Sequence, residues 1–142
     1  MIGSLILENG MIFNGHLFGN TNICATGDIV FQTGMVGYVE ALTDPSYEEQ
    51  LLVFTYPIMG NYGVPIEKIN FNGYSENFES KRIHPQAIIV QEIVDKYSHW
   101  EADISLSEWL KKKNVIGISG IDTRALTKII REHGTMKAKI IK

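Results

Sequence analysis

Short apolar runs punctuated by glycine, asparagine and proline recur along the whole chain, and they most narrow what it can become. DIVFQTG (28–34) reads as a short buried strand. LLVFTYP (51–57) reads as another, ended by Pro57, which cannot donate to a ladder. QAIIVQEIV (86–94) supplies a further β-branched strand, VIGIS (115–119) a short one, and MKAKII (136–141) a last one that alternates sides. At the amino end, the two apolar runs of SLILENGMIFNGHLFG (4–19) flank Asn9-Gly10. Both positions of that dipeptide tolerate positive φ, so the pair predicts a β-hairpin closed by a two-residue turn.

Helical signals lie between these strands and concentrate in the second half. MVGYVEAL (35–42) is compatible with a short helix leading into the polar cluster TDPSY (43–47). Ser105 followed by Glu108 is a capping-box pattern, and Leu106, Trp109 and Leu110 fall on one face of the helix it would start. IDTRALTKIIREHG (121–134) is the strongest helix: Asp122 fits the N-cap, Leu126, Ile129 and Ile130 form an apolar stripe, and Gly134 is placed to end it. From Asn61 to Pro85 the chain is rich in Gly, Asn, Ser and Pro and lacks periodicity, which predicts a long surface excursion. Early strands followed by strand–helix–strand units predict an α/β or α+β domain with a mixed sheet. There is no internal repeat, low-complexity segment or linker.

The 142 residues, 44% hydrophobic and 20% charged, suit one domain spanning 1–142. A formal net charge of -3 argues against nucleic acid as a partner, because phosphate-backbone binding needs a clustered Lys/Arg surface. The one basic run, Lys111-Lys112-Lys113, closes a predicted helix, where cations favour the negative end of the dipole. A single cysteine, Cys24, allows no internal disulfide or multi-thiolate metal site and fits a reducing compartment, cytosol or organelle matrix, of which the cytoplasmic location is the one expected. The amino terminus has no basic leader region, and nowhere does the chain offer the ~20 apolar residues of a membrane span.

Local chemistry offers no complete catalytic set. A thiol nucleophile needs a base in reach, usually on a strand-to-helix turn; Cys24, in TNICATGD, has neither and is expected to be a buried small apolar side chain. His16, His84, His99 and His133 lack the spacing that organises a metal. The glycines at 34, 37, 60, 63 and 73 match no phosphate-binding fingerprint; Gly34, Gly37, Gly60 and Gly63 are read as permitting tight turns and close backbone approach. Glu48-Glu49 and Glu101/Asp103 read as solvated acidic neighbours, and Asp122-Thr123-Arg124 as a helix start. TDPSY is open to two readings: ordinary turn chemistry, in which Asp and Ser bond nearby amides and Pro sets the turn angle, or a loop held rigid so that one hydroxyl meets a ligand.

Longer motifs carry a resemblance. GDIVFQTGMVGYVEALTDPSYEEQLLVFTYPIMGNYG, FESKRIH and GISGIDTRALTKIIREHGTM, with the opening LILENGMIFNGHLFG, resemble the amino-terminal domain of the small subunit of glutamine-dependent carbamoyl-phosphate synthetase nearly end to end. Gln32, where bacterial small subunits usually carry Asn, and NYGVP after the loop look more like the fused eukaryotic pyrimidine-pathway enzymes. The resemblance implies a small three-layer β/β/α domain of the swivelling type with a mixed sheet. It implies as partners a glutamine amidotransferase domain, expected downstream and absent from this chain, and the synthetase subunit or region. The whole enzyme would make carbamoyl phosphate for pyrimidines or arginine from L-glutamine, bicarbonate and two ATP. No cofactor is expected in this domain, since ATP and magnesium serve the synthetase part. By motif match, Ser46 is the serine implied to contact glutamine. The competing class is a freestanding protein-interaction module that kept the scaffold without enzyme activity.

Overall fold

A computed structural model of the chain describes residues 1–33, 37–56, 59–60, 64–65, 82–93 and 102–142. In chain order they form β1 (Ile2–Leu7), β2 (Ile12–Gly19), β3 (Ala25–Gln32), α1 (Tyr38–Leu42), a 3-10 turn (Pro45–Tyr47), β4 (Leu51–Phe54), β5 (Val64–Pro65), β6 (Ala87–Ile89), β7 (Ala102–Ile104), α2 (Leu106–Lys112), β8 (Ile116–Ser119), α3 (Thr123–His133) and β9 (Met136–Ile141). The fold is α/β with a mixed sheet that opens on a hairpin.

The sheet closes on itself as a seven-stranded barrel in the order β1-β2-β8-β6-β4-β3-β9. The closed barrel is not exactly the three-layer β/β/α sandwich expected, because the last strand returns to the first: Ser4 lies opposite Ile141 and Leu7 opposite Ala138. One side of the barrel is antiparallel, with β1 against β2 and β9, β2 against β8, and β3 against β9. The other is parallel, through β3/β4, β4/β6 and β6/β8. Beside it, β5 and β7 form a separate two-stranded pair.

Burial follows from that division. Parallel strands are covered on both faces and so read as continuous apolar runs. In β4, Leu51 and Val53 point into the barrel while Leu52 and Phe54 point out; in β6, Ala87 and Ile89 face in and Ile88 faces out. The interior cluster adds Leu5, Leu7, Leu17, Ile118, Met136 and Ile140, and α3 contributes Leu126 and Ile130 to it. The outer cluster joins Leu52, Phe54 and Ile88 to Val39 and Leu42 of α1 and to Leu106, Trp109 and Leu110 of α2. Each such side chain contributes about 1.5–3 kcal/mol by leaving water. By contrast, β9 alternates buried and exposed residues over most of its length, as MKAKII predicts.

The caps of both longer helices match the sequence. Ser105 Oγ accepts the Glu108 amide at 3.2 Å, Asp122 Oδ1 accepts the Ala125 amide at 3.1 Å, and Gly134 ends α3 with φ +85°. Ile129 is only partly buried, so the stripe on α3 is completed by Thr123 and Thr127 instead.

Several local expectations change. Ile6 pairs with Ile12, and Gly10 donates to the Leu7 carbonyl, so the hairpin loop is Glu8-Asn9-Gly10 rather than a two-residue turn. Only Gly10 takes positive φ there, and the Asn9 carboxamide accepts the Met11 amide. The strand read at DIVFQTG starts earlier, at Ala25, and is half-buried over much of its length. The strand read at QAIIVQEIV is confined to Ala87–Ile89. Cys24, expected to be buried, is exposed just before β3. Most of the excursion read from Asn61 to Pro85 lies outside the described residues, as do Gly34, Pro57, Gly63, Gly73, His99 and Glu101.

Candidate functional site

The TDPSY cluster occupies the connection between α1 and β4, and its geometry is built residue by residue. Thr43 caps the end of α1 with its side chain buried: Oγ1 donates to the Val39 carbonyl at 2.9 Å, which satisfies the hydroxyl without leaving the helix. A residue before proline is driven out of the helical region, and Asp44 obeys with φ -82° and ψ 119°. Its Oδ1 accepts the Ser46 amide at 2.9 Å, an Asx-type contact that caps the 3-10 turn. Pro45 then takes the first turn position, where an amide would have no partner.

Every amide that exists from Thr43 to Gln50 has an acceptor. Thr43 donates to Val39, Asp44 to Ala41, Tyr47 to Asp44, Glu48 to Pro45, Glu49 to His84 and Gln50 to Tyr47, all backbone carbonyls; Ser46 uses the Asp44 carboxylate. A loop with no free donor has little reason to rearrange. Within it the Ser46 side chain is exposed, and its hydroxyl makes no hydrogen bond among the described residues. Tyr47 turns the other way and packs against the outer cluster; burial, then the Asp44 carboxylate, pushes its phenol above the ordinary value.

The turn is strapped from the segment preceding β6. His84 donates its amide to Leu42 at 3.0 Å and accepts from Glu49 at 3.1 Å, and Gln86 donates to Gln50 at 2.9 Å. The Glu48 carboxylate bridges the same segment, accepting from Arg82 Nη2 at 2.7 Å with one oxygen and meeting His84 Nδ1 with the other. The His84 contact, and then Arg82, hold the Glu48 carboxyl below the usual carboxylate range. Glu48 is therefore a structural bridge and not merely the solvated acidic neighbour that its sequence context predicts. No local spacing signals this, since its partners lie 34 and 36 residues away.

Glu49 adopts φ +61°, in the left-handed region that L side chains disfavour. Its carbonyl runs so close to β3 that a Cβ on Gly27 would stand 2.6 Å from it. Gly27 thus makes room for the backbone that leaves the turn.

The other candidates separate from this site. Asp122 is a helix cap, Cys24 lies before β3, and His16 and His133 sit on β2 and at the end of α3. Gly60 takes φ +88°, and Gly37 is the N-cap of α1. Among the described residues no group of three or more His, Cys, Asp and Glu side chains is gathered as a metal would require. None of the described helices is long and apolar enough to cross a membrane.

Residues 5–140 match the sequence profile described as carbamoyl-phosphate synthase small chain, CPSase domain. The chain is 53% identical over 141 residues to multifunctional protein pyr1-3 of Dictyostelium discoideum, covering 98% of itself and 6% of that protein. It is 50% identical over 139 residues to the carbamoyl phosphate synthase small chain of Lactococcus lactis subsp. cremoris, covering 96% and 36%. A third relative, the arginine-specific small chain of Schizosaccharomyces pombe, is 48% identical over 141 residues, with 98% and 34% covered. The chain therefore corresponds to about a third of the free small chains and a small fraction of the multifunctional protein. With nearly all of its length inside one family profile, and relatives of both fused and separate type at about half identity, this chain belongs to the carbamoyl-phosphate synthase small-chain family, as its CPSase domain.

Proposed function

We propose that this domain works within a glutamine-dependent carbamoyl-phosphate synthase, in the cytoplasm. There it would stand between a glutamine amidotransferase domain, whose pocket it completes, and the synthetase region that consumes bicarbonate and ATP with magnesium. Carbamoyl phosphate would feed pyrimidine or arginine synthesis, the second being the route named in the arginine-specific relative. Within this reading the barrel and its covering helices are a variant of the swivelling β/β/α arrangement. The domain supplies no nucleophile; its part is to position.

The observation that carries the reading is the Ser46 hydroxyl, exposed and unbonded among the described residues, on a turn whose own amides are all satisfied. A hydroxyl both donates and accepts, so it can meet either the carbonyl or the amino group of a polar amino-acid substrate. Because the turn is already ordered, little entropy is lost when the contact forms.

The test uses the complete enzyme and two nitrogen donors. Ser46→Phe places a bulky ring where the substrate would sit and should lower glutamine-dependent kcat/KM strongly. Ammonia from solution bypasses that pocket, so ammonia-dependent synthesis should survive. Ser46→Ala should cost about 0.5–1.5 kcal/mol of glutamine-dependent transition-state stabilisation, the net worth of one neutral hydrogen bond. Equal loss with both donors would reject the assignment and leave Ser46 as scaffold.

A further inference from the structure

The Glu48 bridge invites a more specific role than holding the fold together. We propose that Glu48 is a positioning residue that fixes where the Ser46 hydroxyl is presented, by fastening the 3-10 turn to Arg82 and His84; this rests on the reading that Ser46 meets glutamine.

Three observations converge. Glu48 is the C-cap of the turn that carries Ser46, and its amide bonds Pro45, so a displacement of Glu48 is passed directly to the turn. Its carboxylate holds two partners at once, one of them a histidine whose side chain is 7% exposed and is therefore itself immobilised. That histidine is tied by its backbone to both ends of the connection, at Leu42 before the turn and Glu49 after it. The bridge thus links the C-terminal end of the turn to a support already anchored on either side. An exposed ion pair such as Glu48–Arg82 contributes little to global stability. The same pair can still decide the angle at which a neighbouring hydroxyl points, because contacts to a substrate tolerate displacements of well under 1 Å.

A double-mutant cycle in the complete enzyme tests this, with glutamine and ammonia kinetics measured on each preparation and Tm as the folding control. Glu48→Ala should raise the KM for glutamine by up to about tenfold, the most that losing one neutral hydrogen bond explains, with ammonia-dependent kcat nearly unchanged and Tm lowered only modestly. Glu48→Gln keeps one of the two oxygen acceptors, enough for Arg82 or His84 but not for both, and should recover part of the loss. Since Glu48 acts through Ser46, the defect should disappear when Glu48→Ala is added to Ser46→Ala. If Ser46→Ala impairs glutamine use while Glu48→Ala does not, the positioning role fails alone. It is equally overturned if the Glu48→Ala defect persists undiminished in the Ser46→Ala background, or strikes ammonia as hard as glutamine. A silent Ser46→Ala removes the parent reading, and the positioning role with it.

Discussion

Replacing Gly27 by alanine probes how tightly β3 and the Ser46 turn are packed together. A Cβ at residue 27 would lie 2.6 Å from the Glu49 carbonyl oxygen, closer than van der Waals contact allows. The atom in the way is backbone, so no rotamer change relieves it. Glu49 can yield by stretching its 3.1 Å amide hydrogen bond to the His84 carbonyl or by leaving its φ of +61°. Overpacking of this kind costs about 1–3 kcal/mol, and we expect Gly27→Ala to fall in that range by urea unfolding, read as a lower midpoint at unchanged m. A second variant identifies the source. Glu49→Gly removes a disfavoured left-handed conformation, worth roughly 1–2 kcal/mol, against about 0.5–1 kcal/mol of added backbone entropy, so alone it should range from neutral to stabilising by about 1.5 kcal/mol. In its presence the connection moves aside more easily, and Gly27→Ala should lose part of its penalty, with a coupling of at least about 0.5 kcal/mol. A Gly27→Ala variant within about 0.5 kcal/mol of wild type, or strict additivity of the pair, would refute the close-approach argument.

Two further expectations concern charges and caps. The Glu48 carboxyl is held below its ordinary value in the folded chain, so the folded state binds fewer protons there than the unfolded chain does as pH falls through the carboxylate range. Its contribution is present above the unfolded pKa and is lost as pH drops through the lowered folded value; wild type should therefore lose more stability on acidification than Glu48→Gln, and parallel pH–stability curves would contradict this. Asp122 Oδ1 caps α3 through the Ala125 amide, so Asp122→Ala should destabilise by about 0.5–2 kcal/mol in denaturant. No change would mean the cap is replaced by water.

What the sequence conveyed best was local and periodic. The caps at Ser105 and Asp122, the buried face of α2 and the alternation of β9 all depend on residues within a few positions of one another. Barrel closure does not: it requires Ser4 to meet Ile141, and no local period encodes which strands become neighbours. The Asn9-Gly10 signal located the hairpin and missed its loop length, because a glycine at positive φ serves a three-residue loop as well as a two-residue turn. Cys24 was misplaced because a small side chain packs equally well in a core or at a strand entrance, and only the three-dimensional surroundings decide. At the candidate site, the Asp-Pro-Ser order disclosed the turn, while its supports, Gly27 on one side and Arg82 and His84 on the other, are remote in sequence and surfaced only with the fold.

The central claim, that Ser46 stands in contact with glutamine, is tested most directly by footprinting. In the complete enzyme, with the amidotransferase nucleophile replaced so that glutamine is retained, Ser46→Cys introduces a thiol at the turn. Its alkylation rate is followed by peptide mass spectrometry with and without glutamine. Cys24, exposed before β3 and outside the turn, is the internal reference. The account predicts that saturating glutamine slows alkylation at position 46 at least severalfold and leaves Cys24 unchanged. Identical rates at position 46 with and without glutamine, on an enzyme shown to bind it, would contradict the account.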